Sequence, residues 1–201
     1  MPQQTPTPAA GARSTAPTSD LALIAFFAAL VAVCAILPGI HVGGMAVPIT
    51  LQTFAVLLCG AVLGARRGFL AVLLYLVVGF AGLPIFADMT GGLGTFAKPS
   101  IGYLLAFPLG AALTGLIVER LPRGKPSVST PLIFLAGLAG SIVFIHTLGV
   151  LGMAWRIPTS IGDAFVIDLT FWPGDVVKNI VMAIVATAVH RAFPDLLPGR
   201  R

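Results

Sequence analysis

The chain has 201 residues, of which 57% are hydrophobic and 9% charged, with a mean hydropathy of +1.00. Soluble domains carry about 25% charged residues, so this chain lacks the side chains to clothe a water-facing surface and reads as an integral membrane protein. Its formal charge of +5 comes from basic residues scattered between apolar segments rather than gathered on one face, which argues against a nucleic-acid surface.

Residues 1–19 are rich in Pro, Thr and Ala without apolar periodicity and are expected to form a disordered tail. An apolar stretch follows, as it would behind a signal peptide. The tail holds the single basic residue Arg13, and the stretch leads straight into further apolar segments, so cleavage is not expected. A membrane-spanning helix needs about 20 mostly apolar residues. Six segments fit, giving an all-α, six-helix membrane domain over residues 20–193, followed by a tail at 194–201. Span one covers 21–37, opened by Asp20 as N-cap and stopped by Pro38-Gly39. Span two, 49–63, is short and starts with Thr50, Gln52 and Thr53; Ala65-Arg66-Arg67 separate it from span three at 68–83. Spans four, five and six cover 101–118, 132–155 and 175–192. Cys34 and Cys59 lie inside apolar segments without metal-ligand spacing and read as small core residues.

With these spans, nine of the twelve Lys and Arg residues fall on one side: Arg13, Arg66, Arg67, Arg120, Arg123, Lys125, Arg191, Arg200 and Arg201. Lys98, Arg156 and Lys178 fall on the other. Basic loops stay in the cytoplasm, so both termini are expected there, in a prokaryotic plasma membrane. The loops after spans one, three and five then face outward. They read PGIHVGGMAVP, LPIFADMTGGLGTFAKPS and RIPTSIGDAFVIDLTFWPGD. Glycine-rich, partly apolar loops suit a lid over a small-molecule pocket, or re-entrant packing segments.

Several catalytic patterns are missing. GGLGTFAKPS lacks the Gly-Lys-Ser/Thr of a phosphate loop, and Gly124-Lys125 is followed by Pro126, so no nucleotide site is visible. The three histidines, His41, His146 and His190, lie in different segments and suggest no metal centre. His146 falls midway along span five, where an ionisable side chain either has a function or is a neutral imidazole bonded to a neighbouring helix.

The last span opens with FWPGDVVKN, which sets Asp175 and Lys178 three residues apart on one helix face, with Asn179 beside them. Pro173 and Gly174 mark the helix start, so Asp175 sits in the first turn, where the helix dipole favours an anion by roughly 0.3–1 kcal/mol. Two readings remain open for the pair. It is a structural ion bridge between helices, or it is a socket for a ligand. A carboxylate offers acceptors and an ammonium offers donors, and together they match a compact group with N–H donors beside a carbonyl, such as a cyclic urea.

The run VPITLQTFAVLLCGAVLGARRGFLAVLLYLVVGFAGLPIFA resembles the BioY family, the biotin-binding membrane subunits (S components) of energy-coupling-factor transporters. GGLGTFAKPSIGYLLAF resembles the same family at the start of its fourth span, and PGDVVK resembles its sixth-span signature. Lys98 and Ile101 depart from the pattern, at positions where glycine is expected or common. The resemblance implies a six-helix subunit that binds biotin near the outer surface, with Asp175 and Lys178 on the ureido ring. Lys98, or Arg156 in its place, would meet the valerate carboxylate. Gln52 and Thr50 would complete a polar lining or cap their helix. Tyr103 and Phe96 would pack on the bicyclic ring, while Trp155 and Trp172 fit an interfacial belt.

The resemblance further implies partners: one transmembrane coupling subunit and two cytoplasmic ATPases, with no cofactor of its own. Ala22, Ala25, Ala29 and Ala32 recur at spacings of three and four along span one, a small-residue stripe suited to close helix approach in lipid. That stripe either docks the partner or packs inside the fold. Two other functions would use the same residues. One is a membrane enzyme with Asp175 and Lys178 as acid and base; the other is a self-sufficient carrier in which the pair exchanges protons.

Overall fold

The computed structural model describes residues 17–40, 47–121 and 126–197. Of the expected features, the tail over residues 1–16, the loop residues 41–46 with His41, the basic turn 122–125 and residues 198–201 lie outside the described residues.

Among the described residues every regular element is helical, apart from isolated bridges pairing Ile40 with Ile49 and Phe86 with Thr90. Eight α-helices follow one another: α1 (Pro17–Ile36), α2 (Gln52–Leu63), α3 (Ala65–Phe80), α4 (Ile101–Arg120), α5 (Pro126–Gly140), α6 (Thr147–Arg156), α7 (Ile161–Asp168) and α8 (Trp172–Ala192). A π-helical turn, Ser141–His146, joins α5 to α6 as one continuous rod. Two short 3-10 turns, Ala87–Met89 and Leu93–Ala97, lie between α3 and α4. Helices close their own backbone hydrogen bonds, which is what a chain this apolar requires inside a bilayer.

Among the described residues, four helical stretches are long and apolar enough to cross a membrane: Thr18–Ile36, Ile101–Arg120, Ser129–Arg156 and Trp172–Ala192. The other two expected spans correspond to shorter helices, α2 with 12 residues and α3 with 16. At 1.5 Å per residue these reach roughly 18 and 24 Å. The break between them differs from the expected Ala65-Arg66-Arg67 linker. It is the single residue Gly64, and both arginines belong to the first turn of α3. Gly64 has φ 85° and ψ 179°, a conformation open to glycine alone, and the Glu119 carboxylate accepts the freed Ala65 N–H at 2.9 Å.

Helix α1 starts at Pro17, three residues inside the expected tail, so Asp20 lies within its first turn rather than at its N-cap. There it pairs with Arg67 at 2.9 Å, and Arg67 also donates to the Leu196 carbonyl at 2.8 Å. The start of α1, the start of α3 and the C-terminal turn are thus fastened together. Leu197, within the expected C-terminal tail, is buried in the apolar core.

Helix α4 is the axle of the bundle. It packs against α2, α3, α5, the π turn and α6. Its approach to α6 needs glycine on both sides, since a Cβ on Gly102 would lie 2.8 Å from the Gly152 Cα. The segment between spans five and six, read as a glycine-rich loop, contains α7. Ser160 caps it, accepting from the Asp163 N–H at 3.0 Å while its hydroxyl donates to the Asp163 carboxylate at 2.7 Å.

Candidate ligand-binding site

A cavity opens where α2, α4 and α8 begin, with a volume of about 90 Å³. One water needs roughly 10–15 Å³ on that measure, so the space suits a small organic molecule better than a lone ion. Each of the three connecting segments reaches it: Val47, Pro48 and Thr50 from the first, Phe86 to Ser100 in part from the second, and Phe171 from the third. The three helix starts also bring the positive ends of their dipoles to the same place.

Asp175 and Lys178 stand together in the cavity wall. The Lys178 ammonium donates to Asp175 Oδ1 at 2.8 Å, and the Thr53 hydroxyl donates to the same oxygen at 2.9 Å. Lys178 is also 3.3 Å from Thr53 Oγ1, so acid, amine and hydroxyl form a closed triangle. Asp175 is buried and Lys178 nearly so, which makes the pairing a condition for keeping either charge there. Asn179 lies behind this triangle, donating to the Asp175 carbonyl at 3.1 Å rather than facing the cavity.

Gln52 and Thr50 both line the space. Gln52 donates its side-chain amide to the Tyr75 hydroxyl at 2.8 Å, and Tyr75 passes a hydrogen bond to the Ile85 carbonyl at 3.2 Å. Thr50 Oγ1 accepts the Gln52 N–H at 3.3 Å, so it serves the start of α2 while it borders the cavity. Lys98 lines the wall, its ammonium donating to the Thr90 hydroxyl at 2.9 Å. Arg156, the competing cation, is absent from the lining and lies with its guanidinium 3.7 Å above the Trp155 ring. Tyr103 presents its ring to the cavity and sends its hydroxyl to Asp168 at 2.7 Å.

Phe96, expected against the bicyclic ring, lies elsewhere. Its ring stacks on Phe80 with centroids 4.6 Å apart and is not part of the cavity wall. The 3-10 turn that carries it points the buried neighbour Thr95 inward instead. Trp172 is not a simple belt residue either. Its indole donates to Asp168 at 2.8 Å, and its ring lies against that of His146. Trp155 is largely exposed, as a belt residue would be.

Sequence reasoning left out Thr53, Leu104, Phe107 and Phe171, all of which border the cavity. A threonine or phenylalanine in an apolar helix carries no sign of which way it faces. Asp168 was more accessible to reading, because it is an acid in the apolar run AFVIDLTF. It is fully buried at the end of α7 and also bonds to His146 at 2.9 Å.

The alanine stripe lies on the open side of α1. Ala22, Ala25 and Ala29 are exposed and Ala32 is half-buried, while Phe27, Ala28, Val31, Cys34 and Ala35 face the core.

The BioY family model matches residues 5–195. The biotin transporter BioY of Rhizobium etli is 42% identical over 185 residues, covering 91% of this chain and 98% of that protein. The biotin transporter BioY of Rhodobacter capsulatus is 40% identical over 194 residues, covering 90% and 98%. Among solved structures, the 2.1 Å crystal structure of the S-component for biotin from an ECF-type ABC transporter matches with a TM-score of 0.77 at 25% identity. That match covers 87% of this chain and 92% of the crystallised one. Likeness of this extent, in sequence from end to end and in helical architecture, makes the chain a member of the BioY family.

Proposed function

We infer that this chain is the substrate-binding membrane subunit of a biotin transporter, and that it binds biotin in the cavity bordered by Asp175 and Lys178. The observation that carries the site assignment is the acid–amine–hydroxyl triangle in the cavity wall, held by 2.8 and 2.9 Å bonds. The ureido ring offers two N–H donors and one carbonyl. Asp175 accepts from the N–H groups, Lys178 turns its ammonium to the carbonyl, and Thr53, bonded to both, holds the pair in place. Phe107, Phe171 and Leu104 give the fused ring an apolar berth, with the Tyr103 ring beside them. Lys98 supplies the cation for the valerate carboxylate.

The same reading carries a topology. Helices α2 and α3 cross as the second and third of six spans, although short, because α2 is almost wholly buried by its neighbours and need not meet lipid along its length. The excess of basic residues on one side supports both termini in the cytoplasm and the cavity at the outer face of the plasma membrane. The chain binds and releases biotin unaltered. Energy comes from a partner module of one transmembrane coupling subunit and two ATPases. The exposed stripe Ala22, Ala25 and Ala29, continued by Ala32, is the proposed docking face, since small side chains allow another helix to approach closely in lipid.

Purified protein in detergent, titrated with labelled biotin, tests the function. The expected result is saturable binding near one biotin per chain, with chemically unchanged biotin recovered on denaturation. Turnover of biotin to a new compound, or no saturable binding, would overturn the reading.

A further inference from the structure

Behind the cavity wall, the polar groups continue inward. Lys178 bonds to Asp175 Oδ1 at 2.8 Å, the other Asp175 oxygen lies 3.4 Å from His146 Nε2, and His146 Nδ1 lies 2.9 Å from Asp168 Oδ1. Asp168 is fully buried, and it accepts from the Tyr103 hydroxyl at 2.7 Å and the Trp172 indole at 2.8 Å as well. His146 itself is buried, with Trp172 against its ring at 5.1 Å. It is placed there by the π turn that joins α5 to α6, a helix defect often found at functional positions.

Each ring nitrogen of His146 therefore faces a carboxylate. A neutral imidazole has one N–H and one lone pair, so it would aim a lone pair at one of the two anions; an imidazolium is hydrogen-bonded to Asp168 and stands 3.4 Å from Asp175 as its ion-pair partner. Charge points the same way. Asp168 and Asp175 bring two negative charges and Lys178 one positive, so the buried group is neutral with an imidazolium and carries a net negative charge without it. An uncompensated charge in such surroundings is strongly destabilising. Among the described residues, α5 carries no titratable side chain, Tyr103 of α4 reaches the group as a neutral donor to Asp168, and Arg156 of α6 lies against Trp155.

We propose that His146, tethered by Asp168, is a positioning residue of the binding site: as an imidazolium it holds Asp175 Oδ2 and thereby orients the carboxylate and Lys178 toward the ligand. This rests on the reading that Asp175 meets biotin. Loss of the His146 proton turns a lone pair toward Asp175, the carboxylate is no longer held, and biotin is bound less well. Affinity is thus linked to a proton that neither biotin nor the acid–amine pair supplies.

The test has two arms, both on the full chain in detergent. In the first, ring nitrogens of ¹⁵N-histidine-labelled protein are observed without ligand, with His146→Gln identifying the His146 signals. Two protonated ring nitrogens are expected in the binding buffer, and a single one would overturn the proposal. In the second, biotin is titrated across a pH series. Wild-type affinity is expected to fall as pH rises. His146→Gln, which removes the ion pair with Asp175, is expected to bind more weakly and with a flat profile. If His146→Gln does not fold, the wild-type nitrogen signals and pH profile decide. A His146→Gln protein that keeps wild-type affinity and pH profile overturns this proposal alone. A wild type that binds no biotin at any pH overturns the parent reading and this one with it.

Discussion

The Asp175 carboxylate is asked to accept from a ligand while it is already held by Lys178 and Thr53 on one oxygen. Asp175→Asn keeps the shape but presents an NH₂ where an acceptor is needed. It is expected to weaken biotin binding by about 1.5–3 kcal/mol, the range for a hydrogen bond to a charged group, as read by calorimetric titration. Lys178→Met, which removes the donor to the ureido carbonyl, is expected to cost a similar amount. Unchanged affinity in both variants would leave the pair as a structural ion bridge. Phe96→Ala is the contrasting case: its ring stacks on Phe80 away from the cavity, so affinity should stay within about twofold, well under the roughly 1.4 kcal/mol that a tenfold change represents. A tenfold loss would return Phe96 to the site. The difference in legibility between these residues is physical. Asp175 and Lys178 stand out in sequence because charge in an apolar segment is costly and rarely kept without use. Phe96 and Phe107 look alike in sequence, and only the 3-10 turn at Leu93–Ala97 and the facing of α4 separate them.

At the scale of elements, the joint between α2 and α3 is set by one residue. Gly64 has a backbone conformation essentially reserved for glycine, and a Cβ there would collide with the Glu119 carboxylate that caps α3. Gly64→Ala should therefore destabilise the protein by about 1–3 kcal/mol, seen as a lower unfolding temperature in detergent. A melting temperature equal to that of wild type would mean the joint relaxes without strain. The four membrane-length helices were readable because hydropathy over about 20 residues is a strong signal. Helix α7 was not read, since eight residues in a glycine-bearing loop give too few turns for periodicity. Its cap was nonetheless present as Ser160 and Asp163, three residues apart. The π turn left no mark in the sequence, because its residues SIVFIH read like the rest of an apolar helix.

Across the whole molecule, the outward faces of the bundle are apolar, with Phe26, Val77, Val143, Val177 and Ile184 all exposed. That is a surface for lipid and for other helices. The exposed alanines of α1, Ala22, Ala25 and Ala29, lie along one line, and bulk added there should block a partner without touching the cavity. Ala25→Leu combined with Ala29→Leu is expected to abolish ATP-driven biotin uptake in cells while purified protein binds biotin as before. Loss of binding as well would mean that the stripe supports the fold. The broad function was legible from composition and three sequence blocks, whereas the inner partners of the site came only from folding, which brings Asp168, His146 and Asp175 together from three separate segments. Everything rests on the acid and the amine at the start of α8 gripping the ureido head. A structure of the protein with biotin bound tests this most directly: the account places the ureido oxygen within about 3 Å of Lys178 Nζ and a ring N–H at a similar distance from Asp175. A biotin whose ureido ring lies at the Lys98 end of the cavity, out of reach of both side chains, would contradict it.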